Sequence, residues 1–146
     1  MKSSTTTTLI SLKEKAKNIS LLYVEDEEHL RNTTASMLSK LFQNVAVAVD
    51  GKDGLDKYLH NKYDIVITDI SMPNMNGLEL ISNIRKHNLQ QEIIIMSAHT
   101  ESEYTNQGET ADLIDYIYKP VEINQLLEVL NNSINRLNML CSNNEK

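Results

Sequence analysis

The sequence predicts an α/β protein built on a doubly wound, five-stranded parallel sheet, and three observations carry that prediction. Short apolar or β-branched runs recur along the chain at 19–24, 45–49, 64–68, 92–96 and 113–118. A stretch with helical spacing follows each run, so strands alternate with helices, and right-handed crossovers place those helices on both faces of a parallel sheet. The runs at 19–24, 64–68 and 93–96 are nearly continuous in apolar residues, as strands buried on both faces must be. The other two suit edges, because 45–49 uses alanine and 113–118 contains Asp115. Three central strands and two edges fit the order 2-1-3-4-5 with five helices, whose functional crevice lies outside the carboxyl ends of the strands.

Taken in order, residues 1–8 are polar and low in complexity, so they are expected to be disordered, and Leu9, Leu12 and Ala16 mark a short amphipathic helix before Asn18. Residues 1–18 thus read as a flexible extension, 19–138 as one domain and 139–146 as a tail. The first strand runs into Glu25-Asp26-Glu27-Glu28, where Glu27 and Glu28 favour a helix N-terminus, and Leu30, Thr34, Met37, Leu38 and Leu41 share one face of that helix. After the second strand Asp50 is placed to cap a helix whose apolar face is Leu55, Tyr58 and Leu59. Ile65 to Thr68 then lead to Asp69, followed by the turn-forming Pro73, Asn74, Asn76 and Gly77. Leu80, Ile81 and Ile84 mark the next helix; a polar helix is expected over 101–111; the last helix runs from about Glu122 to Leu137. In it Ile123, Leu127, Leu130, Ile134 and Leu137 step by heptad spacing. Most of that face packs on the sheet, and its far end would serve as a dimer seam or a lead into a following domain.

Composition removes several function classes. A net charge of −6 and a pI of about 5.2, without clustered Lys and Arg, argue against direct nucleic-acid binding. The longest strongly apolar run, Ile93 to Met96, is far short of a membrane span or signal-peptide core. Cys141 is the only cysteine, so no internal disulfide can form and a cytoplasmic location is the simplest expectation. His29, His60, His87 and His99 have no metal-ligand spacing, and only His99 lies near the strand ends.

The strand ends themselves carry chemistry. Glu25 and Asp26 follow the first strand, Asp69 the third, Ser97 the fourth and Lys119 the fifth, and the topology brings all of them to one rim. Carboxylates gathered there repel one another and raise affinity for a small divalent cation, and hard oxygen ligands favour Mg²⁺ over zinc. Asp26 and Asp69 are expected as direct ligands, Glu25 through water, with a backbone carbonyl just after Asp69. Lys119 and Ser97 supply an ammonium and a hydroxyl suited to the oxygens of a phosphoryl group in transfer. Asp69, on the central strand nearest both flanking charges, is the expected nucleophile, and no general base is needed because an ionised carboxylate already attacks.

With Leu21-Leu22-Tyr23-Val24-Glu25-Asp26-Glu27, Asp69 to Gly77, Ser97-Ala98 and Tyr116-Ile117-Tyr118-Lys119-Pro120 in this order, the chain resembles the flavodoxin-like receiver domain of two-component response regulators, the CheY-like superfamily, over roughly residues 19–137. The resemblance implies that Asp69 accepts a phosphoryl group from a phosphohistidine of a sensor histidine kinase or histidine phosphotransfer protein, with Mg²⁺ held by Asp26, Asp69 and the Ser71 carbonyl. It further implies that Ser97 and Tyr116 form a switch pair remodelling the face of the fourth helix, fifth strand and fifth helix, and that a cis peptide joins Lys119 to Pro120. Such a domain turns over no external substrate, catalysing only its own phosphorylation and dephosphorylation. Its output is binding, to an unidentified downstream protein or to a second phosphorylated copy. Glu25 stands where many members have Asp, and Ser97 where Thr is commoner; each keeps its chemistry. Ser71 and His99 occupy positions that tune the lifetime of the phosphoryl group in the family.

Two alternatives differ in class. A phosphatase of the haloacid dehalogenase type also uses a strand-end aspartate, Mg²⁺ and a lysine, but it needs a general acid two residues after the nucleophile, and here that residue is Ser71. A pseudo-receiver scaffold would have lost part of the acidic set, whereas Glu25, Asp26, Asp69 and Lys119 are all present.

Overall fold

The computed structural model describes residues 10–97 and 114–144, with side chains to position 139. The Thr-rich start, Leu9, His99, the helix expected over 101–111, Leu113 and the Cys141 side chain lie outside the described residues. The strands are β1 (Ser20–Val24), β2 (Asn44–Ala48), β3 (Ile65–Asp69), β4 (Glu92–Ser97) and β5 (Ile114–Tyr118). They form one parallel sheet in the order β2-β1-β3-β4-β5, the order expected from strand composition. The described helices are α1 (10–15), α2 (Glu28–Ser39), α3 (Gly51–His60), α4 (Gly77–His87) and α5 (Ile123–Asn144).

The period of two along each strand divides the core into two layers. Leu21, Tyr23, Ile65, Ile67, Ile94, Met96 and Ile117 point to the side covered by α1, α2 and α5, where they meet Leu38, Leu126, Leu127, Leu130 and Ile134. Leu22, Val24, Val66, Ile93 and Ile95 point to the other side and meet Leu80, Ile81 and Ile84 of α4. Because β3 and β4 lie between strands on both sides and under helices on both faces, every residue of each is buried.

Three local outcomes differ from the sequence expectation. Leu59 is 52% exposed, because α3 meets the sheet through Gly54: a Cβ there would come within 2.9 Å of Val24. That close approach centres the contact on Gly54 and Tyr58 and leaves Leu59, about 100° further round than Tyr58, on the flank, while Gly51 packs against Met75 of the loop before α4. Ile123, the first residue of α5, is 40% exposed, at the sheet edge where β5 has ended, while Leu127, Leu130 and Ile134 are buried. α5 also continues beyond Leu137 to Asn144. At the other end of the chain, Leu12 and Ala16 are fully buried in the core, and Lys15 Nζ donates to Asn131 and Asn135 of α5.

Asp50 caps α3 as expected, accepting from the Asp53 amide at 2.8 Å, and its other oxygen accepts from Asn74 Nδ2 at 2.8 Å. These hydrogen bonds, the Asp53 amide first, hold the Asp50 carboxyl below its ordinary value of 3.8. A depressed carboxyl contributes stability above its unfolded value and loses it as pH falls through the lower folded one. Asp50→Ala is therefore expected to cost about 1 kcal/mol at neutral pH. In urea titrations across pH, that difference should shrink as pH falls below 3.8; a difference independent of pH would contradict the charged cap.

Candidate functional site

Strand register assembles the site before any side chain is considered. Val24 pairs with Thr68, so Glu25 and Asp69 leave adjacent central strands at the same level. Asp69 pairs with Met96 and Ser97 with Tyr118, so Ser97 and Lys119 follow in step along the rim. The Lys119 amide donates to the Ser97 carbonyl at 2.9 Å, tying the two ends together, and the Lys119–Pro120 peptide is cis.

Side chains converge accordingly. One carboxylate oxygen from each of Glu25, Asp26 and Asp69 can be chosen so that all lie within 4.8 Å of one another. Lys119 Nζ sits 3.3 Å from Glu25 Oε1 and 3.3 Å from Asp69 Oδ2. Three carboxylates against one ammonium leave two negative charges, which matches one divalent cation, and the all-oxygen donor set is the kind Mg²⁺ takes. Glu25 is 1% and Asp69 8% exposed, whereas Asp26 is open to solvent, so the group has a buried floor and an accessible side.

The remaining oxygens are held by backbone. Asp69 Oδ1 accepts from the Ile70 amide at 2.8 Å, and Glu25 Oε2 accepts from the Glu27 amide at 3.2 Å. Burial raises the Glu25 carboxyl above its ordinary value; the Glu27 amide opposes that, and the like charge of Asp69 adds to it. For Lys119, burial alone would lower the value, but Asp69 and Glu25 together carry it above the ordinary one. The ammonium therefore stays charged while leaning on both acids.

The loop after Asp69 is fixed at both ends. Gly77 donates to the Ile70 carbonyl at 2.8 Å, and a Cβ at position 77 would come within 2.1 Å of the Asp69 carbonyl oxygen, so only glycine permits this approach. Asn74 takes a left-handed backbone (φ 68°), a conformation Asn tolerates, and its side chain anchors the loop to Asp50. Asn76 and Glu79 form a reciprocal cap on α4. Ser71 lies exposed in this loop.

Glu25, Asp26, Asp69 and Lys119 are thus brought together; strand register sets Ser97, buried at the end of β4, along the same rim, and Tyr116 lies half-buried on β5 against the α3–α4 layer. Sequence reasoning missed Arg31, whose Nη1 donates to the Glu25 carbonyl at 3.0 Å and the Asp26 carbonyl at 3.4 Å. A backbone acceptor carries no residue signature. The available signal was spacing alone: an arginine one turn into a helix can reach back over the loop that precedes it.

The family model for the response regulator receiver domain matches residues 21–131. The chain belongs to this family. The receiver domain is 38% identical over 107 residues to Response regulator ArlR of Staphylococcus saprophyticus, an alignment covering 73% of this chain and 48% of that protein. It spans about half the length of the curated relatives it matches. Among solved structures, the receiver domain of Francisella response regulator 1452 is similar at 28% identity with a TM-score of 0.72, covering 82% of this chain and 99% of that one. Response regulator TrrA of Thermotoga maritima, solved with Mg²⁺ and a beryllium fluoride, is similar at 26% identity with a TM-score of 0.68, covering 79% and 98%. Family membership replaces the phosphatase alternative, in keeping with Ser71 standing where that chemistry needs an acid. No described helix is long and apolar enough to cross a membrane.

Proposed function

We propose that this receiver domain accepts a phosphoryl group on Asp69 from a phosphohistidine of a partner histidine kinase or phosphotransfer protein, and that the modified domain presents an altered binding surface. The observation that carries the reading is the Lys119 ammonium at 3.3 Å from both Glu25 and Asp69 beside a carboxylate group fit for a divalent cation. Asp26 and Asp69, the Ser71 carbonyl and, through water, Glu25 would hold Mg²⁺, which when bound supplies neutralisation of the phosphoryl oxygens.

Asp69 acts as the nucleophile. Its ionised oxygen forms a bond to phosphorus as the phosphorus–nitrogen bond to the donor imidazole breaks, and the leaving imidazole takes up a proton. The Ile70 amide holds the other Asp69 oxygen, so the attacking one keeps a fixed direction. Lys119 exchanges its contact with Asp69 for a phosphoryl oxygen, and the Ser97 hydroxyl supplies a second contact. Movement of Ser97 toward the new group opens space into which Tyr116 turns, which remodels the surface of β5 and α5. ArlR and TrrA are named response regulators, and receiver domains work with histidine kinases; the partner of this chain is read by the same logic.

Acetyl phosphate with Mg²⁺ should add one phosphoryl group by intact mass, labile to hydroxylamine; turnover of small phosphomonoesters without a covalent adduct would overturn the reading. Lys119→Ala should keep Mg²⁺ binding but lose the phosphorylation-induced change at Tyr116, followed by ring resonances in NMR. An unchanged Tyr116 response would remove Lys119 from the switch.

A further inference from the structure

We infer that Arg31 is a positioning residue for the metal-binding acids, an assignment that rests on the Mg²⁺ reading above. Arg31 lies in the first turns of α2, and its Nη1 bridges two consecutive backbone carbonyls, those of Glu25 at 3.0 Å and Asp26 at 3.4 Å. These are the residues whose side chains face Asp69 across the site. With both carbonyl oxygens drawn toward the guanidinium, the loop between β1 and α2 has one backbone setting, and the two carboxylates are held where they meet Asp69.

The same loop is locked from two further directions. The Glu27 amide holds Glu25 Oε2, and the Glu27 side chain accepts from the His29 and Leu30 amides at the start of α2. Arg31 is the cation on the backbone of this loop, whereas Lys119 meets the Glu25 side chain and Asp69. Donation from a charged guanidinium to a carbonyl is stronger than a neutral hydrogen bond, and the loop is otherwise crowded with acids that push it open.

The two roles open to Arg31 have opposite signs. As a bare positive charge beside a cation site it would weaken Mg²⁺ binding, so its removal would tighten it. As a positioning residue it preorganises the ligands, so its removal loosens binding. Geometry favours the second, because the guanidinium is spent on carbonyl oxygens and not on the carboxylates themselves.

The test is Mg²⁺ titration calorimetry on the wild-type chain, Arg31→Met, which keeps the apolar stem, and Arg31→Lys, with circular dichroism to check the fold. Arg31→Met should raise the Mg²⁺ Kd about tenfold, and Arg31→Lys about threefold, since an ammonium keeps the charge but its shorter stem reaches the two carbonyls less well than Nη1 does. Labelling by acetyl phosphate should follow: at limiting Mg²⁺ Arg31→Met is slow, and at saturating Mg²⁺ its rate returns to within about twofold of wild type. A Kd for Arg31→Met equal to or tighter than wild type overturns the assignment and leaves the receiver chemistry standing. If Arg31→Met does not fold, Arg31→Lys decides by the same sign. A wild-type chain that binds no Mg²⁺ overturns the metal reading itself, and Arg31 with it.

Discussion

Asp69→Asn is expected to abolish labelling by acetyl phosphate, lowering the rate by at least about 100-fold, while leaving the fold intact. An amide has the volume of the carboxylate but no nucleophilic charge, and its oxygen can still accept from the Ile70 amide that now holds Asp69 Oδ1. Lys119 keeps Glu25 as a partner at 3.3 Å, so no buried charge is orphaned. Removing one of the mutually repelling acids relieves strain on Glu25, whose carboxyl Asp69 helps to hold above its ordinary value. The thermal midpoint of Asp69→Asn should therefore equal or exceed that of wild type. Labelling within about tenfold of wild type would contradict Asp69 as the acceptor, and a large fall in midpoint would mean the loss reports unfolding.

The second large effect lies at the opposite end of the sheet. Glu92, the first residue of β4, is 1% exposed, and Arg136 of α5 meets it with both Nε and Nη2, at 3.0 and 2.8 Å from Oε1. Ser133 donates to the same oxygen at 2.8 Å, and Arg136 Nη2 also binds Asp115 of the edge strand β5. One guanidinium thus joins β4, β5 and α5. Among the described residues Arg136→Met would leave Glu92 buried with the Ser133 hydroxyl as its remaining side-chain hydrogen-bond donor and Arg85 as a cation nearby, and losing one member of a buried pair costs about 3–5 kcal/mol. Arg136 is one-third exposed, so water can reach part of the gap and about 3 kcal/mol is expected. Urea unfolding should show it as a lower midpoint at unchanged slope. Adding Glu92→Gln should recover most of the loss, because the amide needs no counter-charge. A single variant within about 0.5 kcal/mol of wild type would contradict the network.

What the sequence disclosed and what it hid follow from the range of each interaction. Ile65 to Thr68 and Ile93 to Met96 are strands by their own composition, and their central placement follows from being apolar on both faces. The rim was equally readable, because in a parallel sheet each strand delivers its next residue to the same edge, so Glu25, Asp69, Ser97 and Lys119 meet whatever the helices do. Glu92 was visible only as the start of a buried run; its partner is 44 positions away on a helix whose polar flank looks like any solvated face. Leu59 was misread because Gly54 brings α3 close to β1 and shifts the contact away from the larger side chains, an effect of backbone approach that an apolar pattern does not carry. Arg31 was invisible because its acceptors are carbonyls.

Whether Asp69 itself carries the phosphoryl group can be read chemically. Borohydride reduces an aspartyl phosphate to homoserine, so reduction of the chain after acetyl phosphate and Mg²⁺, followed by peptide mass mapping, reads the acceptor directly. Homoserine is expected at position 69, dependent on Mg²⁺; homoserine at position 26 or elsewhere, or none at any position, would rule out Asp69 as the acceptor.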